Sequence, residues 1–271
     1  MAAMTMLAIL PCLLLAACGA NNTASNVDAP GTPAGASTRA LEAGAQAWQA
    51  RPPIGALNAY LDGFHFYNGN MRGQMEAHHY CAILNEELIQ CVIYDGNVQD
   101  AKLMGVEYIV SARLYQGLPA AEKALWHSHV HEVTSGQLIA PGLPAVAEKA
   151  LMQQLIATYG KTWHTWHTDL HKTLPLGVPQ LMMGFTADGQ ADAAMLAARD
   201  RRFHIDSADK RRQRADIRAP AILPGADAWQ HGNVLQLADP AGTAHGAPAH
   251  DAAPLPKGPF RGPPARRPLS R

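Results

Sequence analysis

Gln74-Met75-Glu76-Ala77-His78-His79-Tyr80-Cys81-Ala82-Ile83-Leu84-Asn85-Glu86-Glu87-Leu88-Ile89-Gln90-Cys91-Val92-Ile93-Tyr94-Asp95 is the stretch on which the fold turns. Residues 74–84 and 88–95 are strand-like, rich in aromatic and branched residues, and Asn85-Glu86-Glu87 lies between them. This predicts a β-hairpin with a short loop. With Glu86 at the loop centre, Leu84 pairs with Leu88 and Cys81 lies opposite Cys91. His79 then opposes Ile93 on the face of the two cysteines, and His78 points to the other face.

Working outward, residues 103–114, 162–168 and 180–186 read as further strands, and 126–133 as extended. Short helices are expected at 54–61 and 119–125, each opened by proline. A longer one is expected from Pro144 to Tyr159, closed by Gly160. Residues 136–140 are expected to pair with a neighbouring strand, and 174–179 form a loop. Arg199, Arg201, Arg202, Lys210, Arg211, Arg212 and Arg214, interleaved with Asp200, Asp206, Asp209 and Asp216, read as a solvated helix or wrap. Strands dominate and helices are inserted irregularly, so the fold class is α+β, mostly antiparallel.

The ends read differently. Residues 7–17 form an apolar run of signal-peptide length, too short to span a bilayer. It ends in Leu15-Ala16-Ala17-Cys18-Gly19, which resembles the lipobox of bacterial lipoproteins. Residues 1–17 are accordingly expected to be a cleaved signal, with Cys18 lipidated. The implied partner is a membrane, reached through the lipid, at the periplasmic face of an outer membrane. Residues 18–45 read as a flexible tether, 46–235 as one domain, and 236–271 as a disordered Pro, Ala and Arg-rich tail. Lys plus Arg equals Asp plus Glu at 22 each, so no global field recruits nucleic acid.

Histidine carries the chemistry, with 13 in the chain. Trp126-His127-Ser128-His129-Val130-His131-Glu132 would project His127, His129 and His131 from one strand face, a way to present nitrogen to Zn, Fe or Mn. Glu132 would face away unless a turn brings it round. The spacing is too short there for the cupin metal pattern. His65, His78, His79 and His164 are further candidate ligands, and Glu132 is the candidate base if the centre is catalytic. Cys81 and Cys91 admit three readings: a cross-strand disulfide, buried thiols, or ligands beside His79. No phosphate-binding glycine loop and no Gly-x-Ser-x-Gly elbow is present.

Phe64-His65-Phe66-Tyr67, Glu76-Ala77-His78-His79-Tyr80-Cys81, Leu84-Asn85-Glu86-Glu87 and Gln90-Cys91 resemble the plant oil-body-associated proteins and their bacterial relatives. So do Gly105-Val106-Glu107-Tyr108-Ile109, Leu125-Trp126-His127-Ser128-His129, Tyr159-Gly160-Lys161-Thr162 and Leu174-Pro175-Leu176-Gly177. The resemblance covers about residues 54–190. It implies a small α+β domain and association with oil bodies, and brings no agreed catalytic activity. His65, His78, His79, His127, His129, His164 and both cysteines match the family pattern, whereas His131 and His167 do not. Three readings of function follow. The first is an envelope lipoprotein that binds a divalent transition metal or a ligand without catalysis. The second is a metal-dependent hydrolase or oxygen-using enzyme with His127 and His129 as ligands. The third is a structural protein without a site.

Overall fold

In the computed structural model, residues 22–238 are described. The signal segment, Cys18 and the tail from 239 onward lie outside them. Helix α1 (Ala36–Trp48) and the single turn α2 (Pro52–Gly55) lead into strand β1 (Ala59–Tyr67). β2 (Asn70–Asn85), β3 (Leu88–Tyr94) and β4 (Leu103–Ser111) follow as a meander. Short helices α3 (Ala112–Gln116) and α4 (Ala120–Lys123) precede β5 (His127–Ser128) and helix α5 (Val130–Ser135). Helix α6 (Ala145–Leu155), β6 (Thr158–His164) and β7 (Gln180–Met183) come next. Helices α7 (Ala193–Phe203) and α8 (Ser207–Gln213) and a 3-10 turn (Ala228–His231) are the last elements among the described residues.

The sheet is antiparallel and closes on itself. β4-β3-β2-β1-β7-β6 are hydrogen-bonded in that order, and β4 pairs with β6 to seal a six-stranded barrel. The hairpin pairs Cys81 with Cys91 and His79 with Ile93. A register shift between Ile83 and Asn85 puts Asn85, not Leu84, opposite Leu88. The β1–β2 turn is Asn68-Gly69, with Gly69 at φ 88, a positive-φ position that suits glycine in a tight hairpin.

Several sequence expectations are corrected. The helix expected over 54–61 stops at Gly55, because Ala59 and Leu61 pair with Cys81 and His79. The helix expected to run to Tyr159 stops at Leu155; Tyr159 and Gly160 sit in β6, paired with Val110 and Ile109. Long-range pairing overrides the local helical period at both places. The expected tether contains α1, none of whose residues is buried. The basic segment is not wholly solvated: Arg199 and Arg214 are buried among backbone carbonyls and carboxylates. Residues 136–140 make only an isolated bridge, Ile139 to Asp62.

Side chains of alternate parity fill the barrel. Tyr67, Met75, Ala77, Ile93, Met104 and Met182 pack one end. Leu61, Cys81, Cys91 and Ile109 pack the other, with Val133, Leu138 and Leu155 behind them. Cys81 and Cys91 are joined as a disulfide within this second plug. Between the two apolar plugs the inward positions turn polar.

Candidate metal centre

That polar layer is built strand by strand. Leu61↔His79 and His65↔Met75 across β1–β2 place His65 and His79 inward. Cys91↔Glu107 and Glu107↔Thr162 place Glu107 inward from β4. Gly105↔His164 and His127↔Gly160 do the same for His164 and His127. Extended structure ends after Ser128: His129 (φ -83, ψ 2) begins α5, so His127, His129 and His131 do not share one strand face. The turn has the opposite effect on Glu132, three residues beyond His129 on one helical turn, which it carries into the centre. His131 leaves the site toward Gln137 and Asp188.

Glu107 lies at the middle. Its Oε2 is 3.0 Å from His79 Nε2, and its Oε1 is 3.3 Å from His129 Nε2 and 3.4 Å from His127 Nε2. Glu132 Oε2 stands 3.9 Å from both His127 Nε2 and His129 Nε2. His65 Nδ1 and His164 Nε2 are 3.4 Å apart on the neighbouring wall. Two groups, His65 with Glu107 and His127, and His127 with His129 and Glu132, each bring their donor atoms within 4.8 Å of one another.

The hydrogen-bond accounting points to a cation. His79 Nδ1 lies 3.1 Å from the Ala77 carbonyl, which can only accept. His129 Nδ1 lies 2.8 Å from Thr158 Oγ1, and that hydroxyl donates to the Leu155 carbonyl. Both Nδ1 atoms therefore carry the hydrogen, and in a neutral ring each Nε2 presents a lone pair to Glu107. Acceptors this close need a proton or a metal ion between them. Protons on every ring would crowd imidazolium groups whose centroids, for His127 and His129, are 5.1 Å apart. The residues here are of the kind that could hold one divalent ion instead. In the same layer, both ring nitrogens of His127 and Glu132 Oε2 are buried without a hydrogen-bond partner, and these residues belong to the groups whose donor atoms converge.

The charges agree. Burial pushes the Glu107 carboxyl up, but positive charge between it and the facing nitrogens of His127, His129 and His79, carried by a proton or a metal ion, holds it well below the ordinary carboxylate range. Burial pushes Glu132 well above that range, with Glu107 and Asp227 adding to it. Burial likewise keeps His65 well below its usual value, lowers His127, and takes His164 down to about 3. The layer thus holds His65, His127 and His164 as neutral imidazoles beside one anionic carboxylate, with a second carboxyl, Glu132, that a nearby cation would help to ionise.

The backbone makes room. A Cβ on Gly160 would overlap Glu107 Oε1, and one on Gly184 would lie 2.9 Å from Glu132 Oε2. The remaining cavity, lined by His65, His79, Glu107, His129, Glu132 and apolar neighbours, is about 10 Å³. That is room for a single ion or water. Arg199 and Arg214 brace α5 from outside. Arg199 donates to the Gln137 carbonyl and Arg214 to those of Val133 and Leu138.

Among the histidines read from sequence, the fold gathers His65, His79, His127, His129 and His164. It excludes His78, which faces outward against Asp62 at 3.1 Å and Glu76 at 3.5 Å. Glu132 joins the gathered histidines, its Oε2 turned toward His127 and His129. Cys81 and Cys91 are not available as ligands, being bonded to each other. Sequence reasoning missed Glu107. Its signal was present: a lone carboxylate alternating with Gly105 and Ile109 on one strand face. Gly160 and Thr158 were also missed, the first because it was read as a helix stop.

Fold and site define a class: a closed antiparallel barrel whose interior holds a buried histidine–glutamate centre. Residues 51–218 match the family described as "Protein of unknown function (DUF1264)", and the chain belongs to that family. It is 40% identical over 231 residues to oil body-associated protein 1A of Zea mays, covering 83% of this chain and 97% of that one. It is 39% identical to oil body-associated protein 1B of Arabidopsis thaliana, covering 80% and 91%. Oil body-associated protein 2A of Zea mays is 40% identical, covering 74% and 81%. No solved structure matches. These relatives correct the expected placement at a bacterial outer membrane: the similar proteins come from plants and are oil body-associated.

Proposed function

We propose that this chain is a non-enzymatic metal-holding barrel, binding one divalent transition metal through His127, His129, Glu107 and Glu132, with His79 and His65 flanking. The observation that carries this reading is the pair of Nε2 atoms on His79 and His129, both turned on Glu107 while their Nδ1 hydrogens are engaged elsewhere. Imidazole with carboxylate suits Zn, Fe or Mn. A cavity of about 10 Å³ suits an ion and not an organic substrate, which favours holding over catalysis. The test is metal analysis of the purified chain after loading with each metal in turn. One equivalent is expected, lost in the His127→Ala, His129→Ala double variant while the circular dichroism spectrum stays intact. A wild-type chain that retains none of the metals contradicts the reading.

A second reading concerns place, and the relatives' association with oil bodies supports it. The outer face of β4 exposes Leu103, Val106 and Tyr108. Such a stripe of apolar and aromatic side chains suits a lipid–water boundary. The chain is expected to float with phospholipid-coated triacylglycerol droplets, and Val106→Glu with Tyr108→Glu to leave it in the aqueous layer. Failure of the wild-type chain to float removes this reading without touching the metal centre.

A further inference from the structure

The centre is deeply enclosed: Glu107 is 2% exposed, and His129 and Glu132 are 4% each. A ring of hydrogen-bonded strands surrounds it. One end of the barrel is filled by Tyr67, Met75 and their neighbours. At the other end the barrier thins. A second cavity of about 60 Å³ lies between the β2–β3 turn and helix α6, bounded by Asn85, Glu86, Leu151 and Gln154. This outer cavity and the metal cavity share two wall residues, Ile109 and Leu155. Thr158, whose hydroxyl accepts from His129 Nδ1, also lines the outer cavity. The two spaces thus meet at Ile109 and Leu155.

Resting on the metal-holding reading above, we propose that a divalent cation reaches the centre through this outer cavity, passing between Ile109 and Leu155. Leu155 is the last residue of α6, where one change of rotamer opens a path without breaking a strand ladder. The exposed Glu86 stands at the mouth, where its charge raises the local concentration of cations. The Thr158–His129 hydrogen bond links a wall of the outer cavity to a wall of the inner one, where His129 Nε2 faces Glu107.

Stopped-flow uptake of Co²⁺, followed by its visible absorption, tests the route on the full chain. Leu151→Trp, which narrows the outer cavity from a half-buried position, is expected to slow both uptake and release by about tenfold. Equilibrium affinity and stoichiometry should stay as in wild type. Glu86→Lys, on the exposed turn, should slow uptake alone, with the difference fading at high salt. Leu155→Ala should speed both directions. Wild-type rates in both Leu151→Trp and Glu86→Lys, with binding intact, overturn the route and leave the metal centre standing. A wild-type chain that takes up no Co²⁺ sinks the centre and the route together.

Discussion

Thr158 shows how one hydroxyl can govern a buried ligand. It donates to the Leu155 carbonyl at 2.6 Å, which leaves its lone pair to accept from His129 Nδ1 at 2.8 Å. The ring is thereby held in one tautomer, with Nε2 aimed at Glu107. Partners of this kind behind metal-binding histidines are worth about 10–100-fold in affinity. Thr158→Val should therefore weaken metal binding by that range, and Thr158→Ser should restore most of it, as read by competition with a chromophoric chelator. Wild-type affinity in Thr158→Val, with the loss falling on Thr158→Ser instead, would show that the methyl group, not the hydroxyl, matters. At this scale the sequence was partly legible. His127 and His129 stood out by density alone. Glu107 did not: its alternation with Gly105 and Ile109 puts it on their strand face, but the histidines it meets there come from other strands. Gly160 was misread for the same reason: its job is to let Glu107 and His127 approach, and both come from elsewhere in the chain.

Among the elements, the β2–β3 hairpin was the most legible. Its turn and alternation fixed Cys81 opposite Cys91 and His79 opposite Ile93, and only a bulge near Leu84 escaped notice. The β1–β2 turn, Asn68-Gly69, carried a direct hairpin signal that the sequence reading passed over. Helix α5 was hidden because alternate histidines imitate a strand; the helical turn shows itself only where Glu132 swings back beside His129. The disulfide ties β2 to β3 inside the second apolar plug, over a sequence separation of 10. Chain-entropy reasoning gives a bridge of that span about 2–3 kcal/mol. Cys81→Ala with Cys91→Ala should lower the unfolding free energy by that amount in urea titration. A fully reduced wild type as stable as the oxidised one would show that core packing alone secures the hairpin.

Closure belongs to the whole molecule. The β1–β7 and β4–β6 pairings join segments far apart in sequence, and no local pattern encodes them. The sequence therefore indicated an antiparallel α+β fold but not a barrel. Enclosure also makes stability depend on pH, in two opposing ways. His65, His127 and His164 are held neutral by burial, below an unfolded value of about 6.5. Their contribution is full above that pH and is lost as the pH falls. Asp227 runs the other way, since burial pushes it up to about 7, against about 3.9 in the unfolded chain. The folded state keeps this proton longer, so its contribution is present at low pH and is lost as the pH rises from about 4 to about 7. Asp227 accepts from the Ser128 amide, between His127 and His129, with its other oxygen unpartnered. Asparagine can keep that bond without the charge. Asp227→Asn should melt above wild type at pH 8, with the gap narrowing toward pH 4 at up to about 1.4 kcal/mol per unit. A gap independent of pH would show that Asp227 does not titrate in this range.

All of this converges on the polar layer between the two plugs. X-ray absorption at the edge of the bound metal tests it most directly. We expect a coordination shell of nitrogen and oxygen at about 2.0–2.2 Å, with the outer-shell scattering of at least two imidazoles and no sulfur. A sulfur shell near 2.3 Å, or a shell without imidazole, would contradict the account.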